Sequence, residues 1–153
     1  MKKLEKDSQT WTSFKNELEQ KCHRVGIEPN ECYKIRIWLE DSIKQINQKA
    51  FDYYIVSGPT SDKNLKIDLS ILIGKRIYSL NITQGTAPPL IKTFAIFPLD
   101  KIISYTEEIE EGFLTCTFTI TDEVFFYIED SETNSAKLRV FAHKLLDVAW
   151  GKQ

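Results

Sequence analysis

The sequence predicts an α+β protein in which an N-terminal helical hairpin precedes a seven-stranded antiparallel barrel or sheet that a C-terminal helix caps. The first observation is that Leu65–Ile73 and Leu114–Ile120 alternate apolar and polar residues, which is typical of strands with one apolar face. The second is that both ends of the chain carry apolar residues at steps of three and four, which indicates amphipathic helices. We therefore expect a hairpin appendage at 1–49 and a β-rich domain with its helix at 50–153.

The first predicted helix runs from about Thr10 to Arg24, and Gly26 suits its C-terminus. The second begins near Pro29 and continues to about Ile46. The apolar stripes are Trp11, Phe14, Leu18, Cys22 and Val25 on the first helix and Cys32, Ile35, Leu39, Ile43 (or Ser42) and Ile46 on the second. Because only a few residues separate the helices, they are expected to form an antiparallel hairpin.

Two interpretations of this hairpin stay open. Its stripes can pack on each other and on the sheet, which would make the hairpin part of a monomer. Alternatively, Trp11, Phe14, Ile37 and Trp38 form a partner-binding surface, because they provide more aromatic area than a small appendage needs. Trp38 also lies about 100° around the helix from Ile37 and from Leu39, so a single packed helix or sheet cannot cover all three side chains. The second interpretation predicts a protein partner or a homodimer through the N-terminal helices.

The central region predicts seven strands with short connections. They are Phe51–Val56, Leu65–Ile73, Arg76–Ile82, Thr93–Phe97, Ile102–Thr106, Phe113–Ile120 and Val124–Ile128. A loop is predicted at 84–89, and a solvated turn at 107–112. The polar side chains of the strands, Asp68 among them, are expected to face solvent.

Asp130 or Ser131 is expected to cap the final helix. Its predicted apolar face comprises Leu138, Phe141, Ala142, Leu145, Val148 and Ala149. Because this face has to meet the sheet, we expect Phe118, Ile120, Phe141 and Leu145 to be buried.

Composition narrows the function classes. The net charge of −2 gives no global attraction to nucleic acid or to acidic membranes. Three cysteines at unrelated spacings do not predict a disulfide framework, which favours a reducing compartment and therefore the cytoplasm. The charged N-terminus does not resemble a secretory signal.

No motif predicts catalysis, and we expect no enzyme activity, no cofactor and no metal. Cys22, His23, Cys32 and His143 lack the paired spacing of zinc ligands. The chain has neither a nucleophile turn nor a glycine-rich phosphate loop. The glutamates between 107 and 111 are expected to be a solvated face.

The order of seven strands and one helix resembles the pleckstrin-homology superfold, and the bacterial PH-like domains in particular. The residues that carry the resemblance are Gly74-Lys75-Arg76-Ile77-Tyr78 and Phe97-Pro98-Leu99-Asp100-Lys101-Ile102, within a region of about 51–150. The resemblance implies a non-enzymatic binding or adaptor module that acts through protein–protein interaction. The alternatives are a small dimeric chaperone or immunity-type protein that sequesters one partner, and a weak anionic-lipid-binding domain.

In lipid-binding members of that family, basic residues near the first loops hold phosphate groups. The residues at the corresponding positions here are Lys63, Lys66, Lys75 and Arg76. Asp62 and Asp68 dilute their charge, so ordinary solubilising charge is the competing interpretation. We accordingly expect no specific binding to phosphoinositides.

Overall fold

The computed structural model describes residues 6–85 and 90–151. Its helices are α1 (Gln9–Arg24), α2 (Pro29–Ser42) and α3 (Ser135–Trp150). Its strands are β1 (Asp52–Ser57), β2 (Leu65–Ile73), β3 (Arg76–Thr83), β4 (Ile91–Pro98), β5 (Ser104–Glu110), β6 (Phe113–Thr119) and β7 (Phe125–Ser131). The start of the chain at 1–5 and most of the loop predicted at 84–89 lie outside the described residues.

The strands form two antiparallel sheets, ordered β1-β2-β3-β4 and β5-β6-β7. The α+β class is therefore confirmed, but the prediction of a single seven-stranded barrel is wrong. No strand pairing joins the two sheets within residues 6–85 and 90–151, and no barrel closes. The break lies between β4 and β5, where a short 3₁₀ turn at Leu99–Lys101 follows Pro98. Proline has no backbone N–H to continue a ladder, so the chain changes direction here.

Helix α1 lies close to its predicted bounds, and α2 begins at Pro29 as predicted but ends at Ser42, before the predicted Ile46. The Ser8 side chain accepts a hydrogen bond from the Trp11 amide at 3.1 Å and so caps α1. Gly26 has a φ of +75°, the left-handed conformation that follows many helices. The Ser8 hydroxyl also donates a 2.8 Å hydrogen bond to the Lys49 carbonyl, which joins the start of the hairpin to its end.

One face of the four-stranded sheet packs against this hairpin. The buried residues of this first core are Trp11, Phe14, Leu18, Cys22, Ile27, Cys32, Ile35, Leu39, Ile43 and Ile46 from the hairpin region and Ile55, Ile67, Leu69, Ile71, Leu80 and Ile82 from the strands. Hairpin and sheet thus share one continuous apolar interior, and the free energy of that burial stabilises both.

The opposite face of the same sheet packs against the three-stranded sheet and α3. This second core contains Val56, Leu72 and Ile77 from the first sheet, Phe118 from the second, and Phe141 from α3. Phe118, Phe141 and Leu145 are buried as predicted, whereas Ile120 is only partly buried because it lies beyond the end of β6.

The four-stranded sheet is consequently covered on both faces, which corrects the expectation of a solvated polar face. Asp68 and Ser70 of β2 are both buried. The solvated turn predicted at 107–112 is also shorter than expected, since β5 continues to Glu110. Glu111 and Gly112 both have positive φ, as a two-residue hairpin connection requires.

Candidate functional site

The two sheets separate at one end and leave a concave cavity of about 320 Å³, which we call the inter-sheet pocket. Its walls come from the β1–β2 loop, from strands β2, β3 and β4, and from β7. The lining residues are Thr60, Ser61, Asp62, Leu65, Asp68, Ser79, Asn81, Thr93, Ala95, Phe97, Phe125, Phe126, Tyr127 and Glu129. Clefts of this volume, with aromatic walls and a few polar groups, are typical of small-ligand sites.

Asp68 is the most unusual residue of this pocket. The residue is 8% exposed, and its Oδ1 atom is buried without a hydrogen-bond partner among the described residues. Burial, with a smaller contribution from the negative charge of Asp130, raises the pKa of Asp68 to about 7. A buried acceptor without a partner costs free energy, and native proteins retain few of them.

The strand register explains why Asp68 faces the pocket. Asp68 pairs with Val56 of β1 and with Asn81 of β3. Directly paired residues in adjacent antiparallel strands point to the same face of the sheet. Val56 belongs to the second core and Asn81 lines the pocket, so Asp68 lies at the boundary between packed interior and cavity.

Glu129 holds the loop wall of the pocket in place. Its Oε1 atom accepts a 2.7 Å hydrogen bond from the Ser61 amide, and its Oε2 atom accepts one of 2.9 Å from the Thr115 hydroxyl. Burial opposes ionisation of this carboxyl, but the hydrogen bonds outweigh it and lower its pKa. Glu129 is therefore an ionised and occupied acceptor, in contrast to Asp68.

Asp130 is another satisfied carboxylate, next to the pocket on β7. It accepts hydrogen bonds from the Tyr54 hydroxyl at 2.6 Å, the Ser131 amide at 2.7 Å and the Asn134 side-chain amide at 3.3 Å. These donors stabilise its charge although the side chain is buried. That charge in turn disfavours ionisation of Asp68.

The charge of the pocket has one sign. Asp62, Asp68 and Glu129 line it, whereas none of its described lining residues is a lysine or an arginine. Phe125 and Tyr127, which also line it, are each more than half exposed. The site combines carboxylates with exposed aromatic faces.

The structure places the predicted partner-binding residues mostly in the interior. Trp11 is 1% exposed and Phe14 is 0% exposed, so neither side chain is available to a partner in this fold. The cause is that the first sheet covers the hairpin stripe. Ile37 is half-buried, and Trp38 is half-buried against Phe94 with ring centroids 4.7 Å apart and near-perpendicular planes.

The four candidate anion-binding cations do not come together. Lys63 and Lys66 lie at the start of β2, and Lys75 and Arg76 follow its end. Since β2 is nine residues long, the two pairs are separated by roughly 30 Å. The Lys66 ammonium also donates a 3.2 Å hydrogen bond to the Val25 carbonyl.

Sequence reasoning missed Asp68 as a functional residue because the alternation of β2 assigned it to solvent. A signal was present, since aspartate is depleted in strand interiors and Asp68 is in the middle of a long strand. Burial of that face depends on the second sheet, which no local pattern reports.

No protein-family model matches the chain, and no curated protein matches it. In the part of the chain that the structure describes, no helix is both long and apolar enough to cross a membrane.

Proposed function

We propose that this protein is a non-enzymatic binding module that recognises its partner through the inter-sheet pocket. The observation that carries the proposal is the buried Asp68 carboxylate, which lines a cavity of about 320 Å³ and whose Oδ1 atom has no hydrogen-bond partner among the described residues. A bound group that donates a hydrogen bond to this carboxylate would offset the cost of burying it.

The arrangement favours binding over turnover. The described lining residues include no histidine, cysteine or lysine that could act beside Asp68 as a nucleophile or a proton carrier. Glu129 already accepts hydrogen bonds from Ser61 and Thr115, and these fix the loop wall. The polar side chains of the pocket are therefore suited to orienting a bound ligand.

The relationship to PH-like domains remains part of this proposal. A four-stranded sheet, a three-stranded sheet and a following helix at Ser135–Trp150 support it. The dispersion of the four cations disfavours the anionic-lipid alternative. A protein partner that inserts one side chain into the pocket fits a module of this kind.

A variant that fills the pocket mouth tests the proposal. Thr93 lines the pocket on the edge strand β4 and is exposed, so Thr93→Trp should block entry without disturbing either core. Thr106→Trp is the matched control, because Thr106 is an exposed threonine on the edge strand β5.

The full chain and both variants are immobilised and exposed to extract from the native cell, and retained proteins and small molecules are identified by mass spectrometry. We expect a partner that the wild type and Thr106→Trp retain and that Thr93→Trp loses. Identical retention by all three proteins would exclude the inter-sheet pocket as the binding site.

A further inference from the structure

We propose that the inter-sheet pocket binds a primary ammonium group on an alkyl stem, either a small amine or the side chain of a lysine in a partner protein. This inference rests on the proposed function, and it adds the chemical class of the ligand. Its basis is the combination of a buried carboxylate, Asp68, with an acidic, aromatic lining.

The charge of the pocket selects a cation. Asp62, Asp68 and Glu129 line it, and no lysine or arginine among the described residues neutralises them from within. The nearest basic residue along β2, Lys66, directs its ammonium to the Val25 carbonyl instead. An anionic ligand would meet like charge from Asp62 and Glu129, and from Asp68 above its pKa of about 7, whereas a cation would be attracted to them.

The lining indicates an organic cation. Among the described residues, no three His, Cys, Asp or Glu side chains lie close enough together to hold a metal ion. The exposed rings of Phe125 and Tyr127, next but one to each other on β7, stand on the same side of that strand. Such rings attract ammonium groups through their negative faces and pack against an alkyl stem.

The acceptor geometry favours an ammonium over a guanidinium. Because Oδ1 of Asp68 is enclosed by protein, the pocket offers a ligand at most the other oxygen of this carboxylate, and an ammonium can satisfy one oxygen with a single N–H donor. A guanidinium binds best through two parallel hydrogen bonds. The remaining ammonium donors can be met by neutral oxygens of Thr60, Ser79 and Asn81, which also line the pocket.

The pH dependence of binding distinguishes a cation that needs ionised Asp68 from a ligand that needs protonated Asp68. The titratable groups around Asp68 are Asp62 from the β1–β2 loop and Tyr127, Glu129 and Asp130 from β7. The residues of β3 and β4 that line the pocket do not titrate. An ammonium requires the ionised form of Asp68, so its affinity should rise between about pH 5 and about pH 8. A ligand that accepts a hydrogen bond from the protonated Asp68 carboxyl would show the reverse trend.

The test is a calorimetric and NMR titration of the full chain with three matched probes. Nα-acetyl-lysine amide represents a lysine in a protein, pentylamine represents a small amine, and Nα-acetyl-norleucine amide has the stem without the charge. We expect both amines to bind and the norleucine amide to bind at least about tenfold more weakly than the lysine amide. Amide shifts should map to Thr93 and Phe125.

The two amines distinguish the sources of the ammonium group. Tighter binding of the lysine amide than of pentylamine would assign the site to a protein lysine. Tighter binding of pentylamine would assign it to a free amine. Equal affinities would mean that the pocket recognises only the ammonium group and its alkyl stem. Each of these results supports the proposal.

Asp68→Asn provides the decisive variant, since it keeps the shape of the side chain and removes its charge. We expect it to weaken amine binding at least about tenfold, while Asp122→Asn, in the exposed β6–β7 turn, leaves binding unchanged. The NMR spectrum of Asp68→Asn reports whether the fold is retained.

Several results would overturn the ligand class. They are no amine binding at millimolar concentration, equal binding of the norleucine amide, full affinity in Asp68→Asn, or tighter binding of Nα-acetyl-arginine amide. A partner that Thr93→Trp still loses from extract would then leave the proposed function standing. Conversely, amine shifts that map away from Asp68, together with a partner that Thr93→Trp retains, would overturn both.

Discussion

The Tyr54 hydroxyl donates a 2.6 Å hydrogen bond to Oδ2 of Asp130 and so joins β1 of the first sheet to β7 of the second. Burial and the neighbouring Asp130 charge raise the pKa of Tyr54, so the phenol remains a donor throughout the physiological range. No backbone pairing links the two sheets within the described residues. This side-chain bond is therefore a direct polar connection between them, next to the inter-sheet pocket.

Tyr54→Phe should lower the free energy of unfolding by about 1–3 kcal/mol, because it removes one donor from a buried carboxylate. Urea denaturation of the purified protein measures the change. Tyr33→Phe is the control, since Tyr33 is exposed on α2, and it should change stability little. A Tyr54→Phe protein as stable as the wild type would mean that solvent or other donors replace the phenol.

Asp68→Asn should remove a pH dependence of stability. The folded-state pKa of about 7 lies above the ordinary value of 3.8, so the folded state binds the extra proton between these values. The Asp68 contribution is therefore fully present below pH 3.8 and is lost as pH rises to about 7. The loss is about 1.4 kcal/mol per pH unit at most.

Urea unfolding across this pH range should show wild type and Asp68→Asn converging at the acidic end and separating toward neutrality, with the variant more stable. Carboxylates with lowered pKa values, such as Glu107 and Glu129, contribute in the opposite direction, but they are common to both proteins and cancel. If the difference in free energy of unfolding between the two proteins stays constant with pH, Asp68 does not have a raised pKa in the folded state.

Phe141→Ala should cost about 3–5 kcal/mol, because it opens a cavity between α3 and the sheets. The Phe141 ring is buried with its centroid 5.7 Å from that of Tyr54. Val140→Ala, one position earlier on the exposed side of α3, should have little effect on the thermal midpoint. Equal midpoints for the two variants would show that α3 does not pack on the sheets.

Deleting residues 1–28 should make the chain aggregate or melt at a much lower temperature. The deletion removes α1 and exposes Phe51 and Tyr53, whose rings lie 5.8 Å and 5.2 Å from that of Phe14. Calorimetry and light scattering measure the outcome. A truncated protein that stays folded but loses an oligomer or a partner would instead support the interaction interpretation of the hairpin.

Point variants give a milder form of the same test. Phe14→Ala should lower stability by about 3–5 kcal/mol, whereas the adjacent exposed Ser13→Ala should not. If the hairpin mediates self-association, Phe14 is not the contact residue, and the half-buried Ile37 and Trp38 remain available for it. Light scattering of Trp38→Ala tests that prediction of a homodimer.

The positions of the helices and strands could be predicted from the sequence because local periodicity reports which side chains share a face. The predicted bounds of Leu65–Ile73 agree with those of β2, and the predicted stripe of Trp11, Phe14 and Leu18 is the buried face of α1. The turn at Gly26 was predicted from the same short-range physics, whereas the cap at Ser8 was not predicted and is a finding of the structure.

The tertiary structure decided what covers each face. The alternation of β2 predicts that Asp68 and Leu69 point to opposite faces of the sheet. It does not indicate whether solvent or a second sheet covers the polar face. The chain turns after Pro98, and the three-stranded sheet then closes over that side and buries Asp68 beside a cavity. Contacts between residues as distant in sequence as Tyr54 and Asp130 form this arrangement, so the pocket and its unpartnered carboxylate are properties of the folded chain alone.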